Sequence, residues 1–174
     1  MKKLILLLTA LAMLSGCHSD DATATLPNDY VSDIRIDEIN FSPSAATATQ
    51  SYATTTVLYD TNGYQRTFVL KRNSNNPVLT ECITCTIRYT AATTSGTYTQ
   101  QPDATKEFSL HGLYTMGDEQ AAFSNGSMVT VIDLGNNKYT LNFNSVNTVA
   151  TEENPIHING TFTGTFTATS EHVN

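Results

Sequence analysis

The chain has 174 residues, nine of them basic and sixteen acidic, which gives a formal net charge of −7 at pH 7. A chain this acidic is poorly suited to bind nucleic acid or an anionic membrane surface, because both are negatively charged. Threonine supplies 29 residues, tyrosine 8 and phenylalanine 7. Such β-branched and aromatic residues favour strands, so the composition predicts an all-β protein with little helix.

The chain begins with a short positive segment and an apolar run. Lys2 and Lys3 precede residues 4–14, which only Thr9 interrupts. That length fits the hydrophobic region of a secretory signal, about 7–15 residues. It is shorter than the roughly 20 residues needed to span a bilayer. The run ends in Leu-Ser-Gly-Cys at positions 14–17 instead of a small-x-small cleavage site.

This ending resembles the lipobox of bacterial lipoproteins, and the resemblance covers residues 1–17. In that family the leader is cleaved before the cysteine, which carries a diacylglyceryl group and an acylated amine. The resemblance implies a signal peptide at residues 1–16, lipidation of Cys17 and a flexible tether at residues 17–29. A single acyl chain binds a membrane only marginally, whereas three chains hold firmly. The alternative is a secreted protein with a chance cysteine.

The residues after Cys17 bear on where the anchored protein lies. In enteric-type sorting, aspartate directly after the lipidated cysteine favours the inner membrane, and this chain has His18 there. Ser19-Asp20-Asp21 resembles the acidic tracts that direct some lipoproteins of the Bacteroidota to the cell surface, although a polar spacer explains it more simply. We expect the cell envelope, at the outer membrane, on its periplasmic face or on the cell surface.

Residues 30–174 are expected to form one β domain. Alternating apolar and polar residues between turn signals predict about nine strands, typical of a single antiparallel β-sandwich or β-barrel. In the first strand, a bulge near Asp37-Glu38 would turn both Ile34/Ile36 and Ile39/Phe41 towards the core. The predicted strands are residues 34–41, 51–59, 64–71, 81–90, 96–100, 106–115, 128–134, 138–145 and 156–168.

Two turns and the last strand have the clearest patterns. Asp-Thr-Asn-Gly at 60–63 and Gly-Asn-Asn at 135–137 each separate two strand-like runs and predict hairpins. Residues 156–168 alternate apolar and polar without interruption. Gly160 and Gly164 fall on the apolar face, where they would permit strong coiling of the strand or close packing of a neighbouring aromatic ring.

With Cys17 assigned to lipid, Cys82 and Cys85 remain as a pair, and an oxidising envelope favours a disulfide between them. Positions i and i+3 of a straight strand lie about 10 Å apart, beyond disulfide reach, so the bridge requires a turn there. Free thiols, a redox pair and a zinc site are the alternatives. The redox motif lacks its following helix, and zinc would need two further ligands, such as His111 and His157.

No convergent catalytic set is evident in the sequence. It contains no G-x-S-x-G motif, and Ser109 and His111 are interpreted as surface residues. The acidic pairs at 118–119 and 152–153 are interpreted as solvated loop charge, with weak calcium binding or acid–base catalysis as alternatives. Phosphate-binding loops and basic patches are also absent. We therefore predict no catalytic residues, no metal and no cofactor.

The sequence does not identify a specific biochemical function. The leading hypothesis is a lipid-anchored, non-enzymatic envelope protein that touches the membrane through its lipid. Its β domain would bind or support an envelope protein or an extracellular ligand, and no nucleic acid. One alternative is a small envelope hydrolase that uses loop carboxylates with His111 or His157. Another is a redox or metal-handling protein centred on Cys82 and Cys85, and assembly between copies through strand edges is also open.

Overall fold

The computed structural model describes residues 30–43, 53–60, 63–73, 80–90, 93–149 and 155–170. These residues contain no helix and are about 70% strand, so the prediction of an all-β protein is confirmed for them. The strands are β1 (Val31–Ser32), β2 (Arg35–Ile36), β3 (Ile39–Asn40), β4 (Ala53–Asp60), β5 (Gly63–Asn73), β6 (Thr80–Tyr89), β7 (Gly96–Gln100), β8 (Ser109–Met116), β9 (Glu119–Ala122), β10 (Met128–Asp133), β11 (Lys138–Asn147), β12 (His157–Thr165) and β13 (Thr167–Ser170).

All thirteen strands belong to one mixed sheet that curls into a half-barrel. Its main path of eleven strands is β13-β4-β5-β6-β8-β7-β10-β11-β12-β2-β3, with β1 beside β12 and β9 beside β8. The β13–β4 and β7–β8 pairs are parallel. The predictions of a purely antiparallel sheet and of a nine-strand sandwich are therefore wrong.

The parallel β7–β8 pair explains part of this error. A parallel neighbour usually needs a crossover of a dozen or more residues, but here residues 101–108 suffice. This loop turns back sharply at Phe108, which has a φ of 58°. The Phe108 carbonyl accepts a 3.0 Å hydrogen bond from the Thr99 N–H at the start of the pairing. Loop geometry of this kind has no pattern in the sequence.

Thirteen strands are present instead of about nine because β1 precedes the predicted first strand, the predicted first and last strands are each divided in two, and β9 lies where the sequence indicated a loop. Asp37 and Glu38, with φ values of 47° and 69°, form the two-residue turn of a β2–β3 hairpin. The predicted bulge at these residues is therefore wrong, since the chain reverses there. As a result Phe41 is buried, whereas Ile39 is 65% exposed.

Both predicted hairpins are present. β4 and β5 pair up to Asp60 opposite Gly63, and residues 61–62 of that turn lie outside the described residues. In the β10–β11 hairpin, the Lys138 N–H donates to the Gly135 carbonyl at 2.9 Å. Residues 135–137 all have positive φ, as the Gly-Asn-Asn sequence predicts.

Residues 157–170 join the two ends of the sheet. β12 pairs with β11 on one side and with β1 and β2 on the other, whereas β13 pairs with β4. Phe166 separates the two strands, and its N–H donates to the Asn137 carbonyl at 2.8 Å. The predicted strand at 156–168 therefore exists, but it is divided at Phe166.

An aromatic cluster fills the core beneath this segment. The Phe166 ring meets Phe68 edge to face at 5.2 Å and Phe162 at 5.4 Å between centroids. Phe68 also meets Tyr139 at 5.0 Å. Because aromatic pairs of this geometry contribute roughly 0.5–1.5 kcal/mol beyond area burial, the cluster fixes Phe166, between β12 and β13, against β5 and β11.

Two core glycines admit close neighbours. Gly160 has a φ of +106°, and a Cβ there would lie 2.5 Å from the Asp33 carbonyl oxygen, because the chain between β1 and β2 crosses over it. At Gly112 a Cβ would lie 1.9 Å from Cδ2 of Phe123, whose ring packs on the glycine. The absence of a side chain lets the backbone at Asp33 approach Gly160 and lets the ring of Phe123 approach Gly112.

We expect Gly112→Ala to destabilise the protein by about 2–3 kcal/mol in chemical denaturation, since the added methyl overpacks the core against Phe123. In a Phe123→Ala background the same substitution should cost less than about 1 kcal/mol, because the obstructing ring is gone. An equal cost in both backgrounds would contradict the contact between Gly112 and Phe123.

Candidate functional site

A cavity of about 250 Å³ opens at one end of the curled sheet. It lies where β5 ends and β6 begins, beside the end of β8, the start of β9 and the β2–β3 hairpin. We call it the mouth cavity. Its apolar wall consists of Ile36, Ile39, Met116, Ala121 and Ile156, and its polar lining consists of Asp37, Arg72, Glu81, Tyr114, Glu119 and Gln120.

Three of the polar residues form a hydrogen-bonded floor. Arg72 donates from Nε and Nη2 to Oε2 of Glu81, and the Tyr114 hydroxyl donates to Oε1 at 2.9 Å. The third guanidinium nitrogen, Nη1, donates to the Asn40 carbonyl at 2.6 Å, which ties β3 to the floor. The Arg72 guanidinium also lies 5.1 Å from the centroid of the Phe41 ring.

The strand pattern places these groups together. Arg72 shares the inner face of β5 with Phe68 and Leu70, and it pairs directly opposite Glu81 on β6. Tyr114 pairs opposite Ile83, the next inward residue of β6. The side chains of Arg72 and Glu81 remain only 27% and 14% exposed. The floor is thus a polar layer that lies next to the apolar residues Phe68, Leu70 and Ile83 on the inward faces of these strands.

Burial and the neighbouring Glu81 carboxylate raise the pKa of Tyr114. Its phenol therefore stays protonated at physiological pH and acts as a fixed hydrogen-bond donor to Glu81. The floor is a preorganised surface whose hydrogen bonds hold one another in place.

The rim of the cavity is acidic. Asp37 lies on the β2–β3 turn, where its Oδ1 accepts a 2.8 Å hydrogen bond from the His157 N–H. Glu119 begins β9 and is exposed. With Glu81 and Arg72, the lining carries three carboxylates against one guanidinium, a formal charge of −2. The interpretation of Glu119 as solvated loop charge did not anticipate its place at this rim.

The two histidines singled out in the sequence lie at separate places. His157 lines a shallow depression of about 450 Å³ with Asp37, Glu38 and Ser145, and its Nδ1 lies 2.5 Å from Oδ1 of Asn147. His111 is exposed on the outer face of β8, where it lines another depression of about 220 Å³ together with Ser109 and Arg88. The interpretation of His111 as a surface residue is therefore confirmed, whereas that of Ser109 is wrong because Ser109 is buried. Cys17 and the acidic pair at 152–153 lie outside the described residues.

The cysteine pair does not form the predicted disulfide. β6 is paired without interruption along both neighbours, so Cys82 and Cys85 point to opposite faces of the sheet. Both thiols are free, and Cys85 is buried in the core. The turn that a bridge required is absent from this strand, and the disulfide prediction is wrong. Across the described ranges, no group of three or more His, Cys, Asp or Glu residues is placed to hold a metal.

Arg72, Glu81 and Tyr114 were not identified from the sequence. The sequence does contain a signal for two of them, because in each case an ionisable residue lies in register with the apolar residues that alternate along a strand. Arg72 follows Phe68 and Leu70 at a spacing of two. Glu81 precedes Ile83 and Cys85 at the same spacing. Charges at core positions require partners, so this signal predicts that each of the two residues has one.

Comparisons with known proteins return nothing similar: no family model, no curated protein and no solved structure matches the chain. The described part of the chain also has no helix that is long and apolar enough to cross a membrane.

The ion pair in the floor should couple energetically. We expect a double-mutant cycle of Arg72→Met and Glu81→Gln to give a coupling of about 1–2 kcal/mol in unfolding free energy, because the pair is largely shielded from water. The exposed Arg35–Glu38 pair, 53% and 86% exposed at 3.7 Å, is the matched control. Its coupling should stay below about 0.5 kcal/mol and fall with added salt. Equal couplings would contradict the shielded floor.

Thiol labelling checks the cysteines. Burial raises the pKa of both thiols, so little reactive thiolate forms in the folded protein. In the full chain carrying Cys17→Ala, we expect slow alkylation of Cys82 and none of Cys85 until denaturant is added. Mass spectrometry without reductant should find both thiols free, and Cys82→Ser should leave one thiol that reacts only on unfolding. A bridged 82–85 peptide would refute this assignment.

Proposed function

We propose that this chain is a lipid-anchored cell-envelope protein whose β domain binds a ligand or partner at the mouth cavity. The leader that resembles a lipobox supports the anchor on Cys17. The mouth cavity, with an apolar wall and a preorganised polar floor, is the observation that carries the binding role. Apolar concave sites with a few well-placed polar groups are the usual form of ligand-binding sites.

The chemistry of the floor favours binding over catalysis. A general acid or base must exchange a proton with the substrate within hydrogen-bond reach. Here both carboxylate oxygens of Glu81 already accept hydrogen bonds from Arg72 and Tyr114, and the raised pKa of Tyr114 keeps its proton on the phenol. These groups are suited to orienting a bound molecule.

A small hydrolase remains the second candidate, and the depression around His157 is the observation that favours it. Asn147 Oδ1 holds Nδ1 of His157, which leaves Nε2 for proton transfer. Asp37, Glu38 and Ser145 line the same depression, and Ser145 has a φ of 54° at the bulge in β11. The proposed location in either case is the outer membrane, on the periplasmic face or the cell surface.

Fractionation of cells expressing the full chain tests the anchor. We expect wild-type protein in the membrane fraction with incorporated radiolabelled palmitate, because acyl chains hold the protein there. Cys17→Ala should be unlabelled, because it lacks the thiol that is acylated, and Cys82→Ser should behave as wild type.

The same cells separate binding from hydrolysis. Crosslinking in intact cells should capture a partner with the anchored protein, and purified protein should not turn over a generic panel of esters and glycosides. Unlabelled, released wild-type protein would overturn the anchor. If the protein turns over a substrate, His157→Gln abolishes that turnover and no partner is captured, then the hydrolase replaces the binding protein as the proposed function.

A further inference from the structure

We infer that the mouth cavity accepts a small cationic amphiphile, a molecule with an amine on an aliphatic body, in preference to the matching carboxylate. This inference rests on the binding role proposed above and names the class of ligand. It follows from the shape of the cavity, its charge and its balance of hydrogen-bond donors and acceptors.

The apolar wall fits the aliphatic body. Ile36 is buried and belongs to the hydrophobic core, and Ala121 is also buried, whereas Ile39 on the hairpin is 65% exposed. An occupant would cover part of Ile39, and such burial is favourable at roughly 25 cal/mol per Å². The cavity volume, about 250 Å³, lies below the roughly 300–1,000 Å³ typical of drug-sized ligands. The ligand is therefore small.

The charges around the cavity favour a cation. Among the described residues the ion pairs are Arg35–Glu38 and Arg72–Glu81, so Asp37 and Glu119 have no cationic partner there. Arg72 is already engaged by Glu81 and by the Asn40 carbonyl. An entering anion would meet uncompensated carboxylates in a concave site, which focuses their field.

The hydrogen-bond donors and acceptors that line the cavity also favour a cation. The Tyr114 proton is used by Glu81, while its oxygen and the carboxylates of Asp37 and Glu119 retain lone pairs that can accept. The lining donors are fewer: Gln120 at the rim has its amide N–H groups, and Arg72 has two N–H groups beyond its three described hydrogen bonds. An ammonium group has three donors and no acceptor, so it complements a site with an excess of acceptors.

Matched probes test this inference. The full chain carrying Cys17→Ala is titrated with n-hexylammonium, n-hexanol and hexanoate at constant ionic strength, and the methyl resonances of Met116 and Ala121 are followed by NMR. We expect all shifts to be confined to the mouth cavity, with hexylammonium binding about tenfold more tightly than hexanoate, a difference of roughly 1.4 kcal/mol.

Charge variants then identify the cause. Asp37→Asn and Glu119→Gln should each reduce the ammonium preference about two- to fivefold, the range of exposed charge pairs. Glu38→Gln is the matched control, since Glu38 adjoins Asp37 in the turn but does not line the mouth cavity. It should leave the preference unchanged. Unaltered thermal unfolding midpoints verify that each variant is folded.

The outcomes separate the two proposals. Equal or tighter binding of hexanoate at the same methyl groups would overturn the cationic ligand class and retain the mouth cavity as a binding site. If none of the three probes shifts these resonances, both the ligand class and the binding role of the cavity fail. An effect of Glu38→Gln equal to that of Asp37→Asn would overturn the charge argument.

Discussion

Backbone hydrogen bonds along residues 157–170 hold the two ends of the curled sheet together. β12 completes the pairing of β11 and of the N-terminal strands β1 and β2, and β13 provides the neighbour of β4. Unpaired strand edges expose polar backbone groups and invite pairing with other chains. Phe166, at the transition between the two strands, packs into the aromatic cluster, so the core and the sheet pairing stabilise the same segment.

The mouth cavity follows from this arrangement. Curling brings the ends of β5, β6 and β8 around one opening, and the inward positions at those ends are occupied by Arg72, Glu81 and Tyr114. Charged groups at the edge of an apolar interior are stable only when they are paired and hydrogen-bonded. The ion pair between Arg72 and Glu81 therefore stabilises the strand ends and also forms the rigid polar floor of the cavity. Nη1 of Arg72 holds the β2–β3 hairpin in place through its hydrogen bond to the Asn40 carbonyl.

Sequence patterns predicted the parts of the fold that depend on residues close together in the sequence. The alternation of residues 156–168 and the Gly-Asn-Asn turn at 135–137 predicted a strand and a hairpin, because side-chain parity and positive φ are properties of a few adjacent residues. The Asp37-Glu38 turn has positive φ without the usual Asn or Gly, so it resembled a bulge. The order of strands depends on contacts between distant residues, and the parallel β7–β8 pair depends on the conformation of the loop at 101–108. For the site, strand parity could have placed Arg72 and Glu81 on apolar faces, but only the register shows that they face each other.

The β13–β4 pairing joins Thr167 to Thr54, and this long separation in sequence has a consequence for how the chain folds. Such pairings raise the contact order, and sheets rich in them fold in milliseconds to seconds. A polypeptide that emerges N-terminus first exposes β4 well before its parallel neighbour exists. During that interval the open edge is available to other strands, so the nascent chain depends on protection from aggregation until residue 170 has emerged.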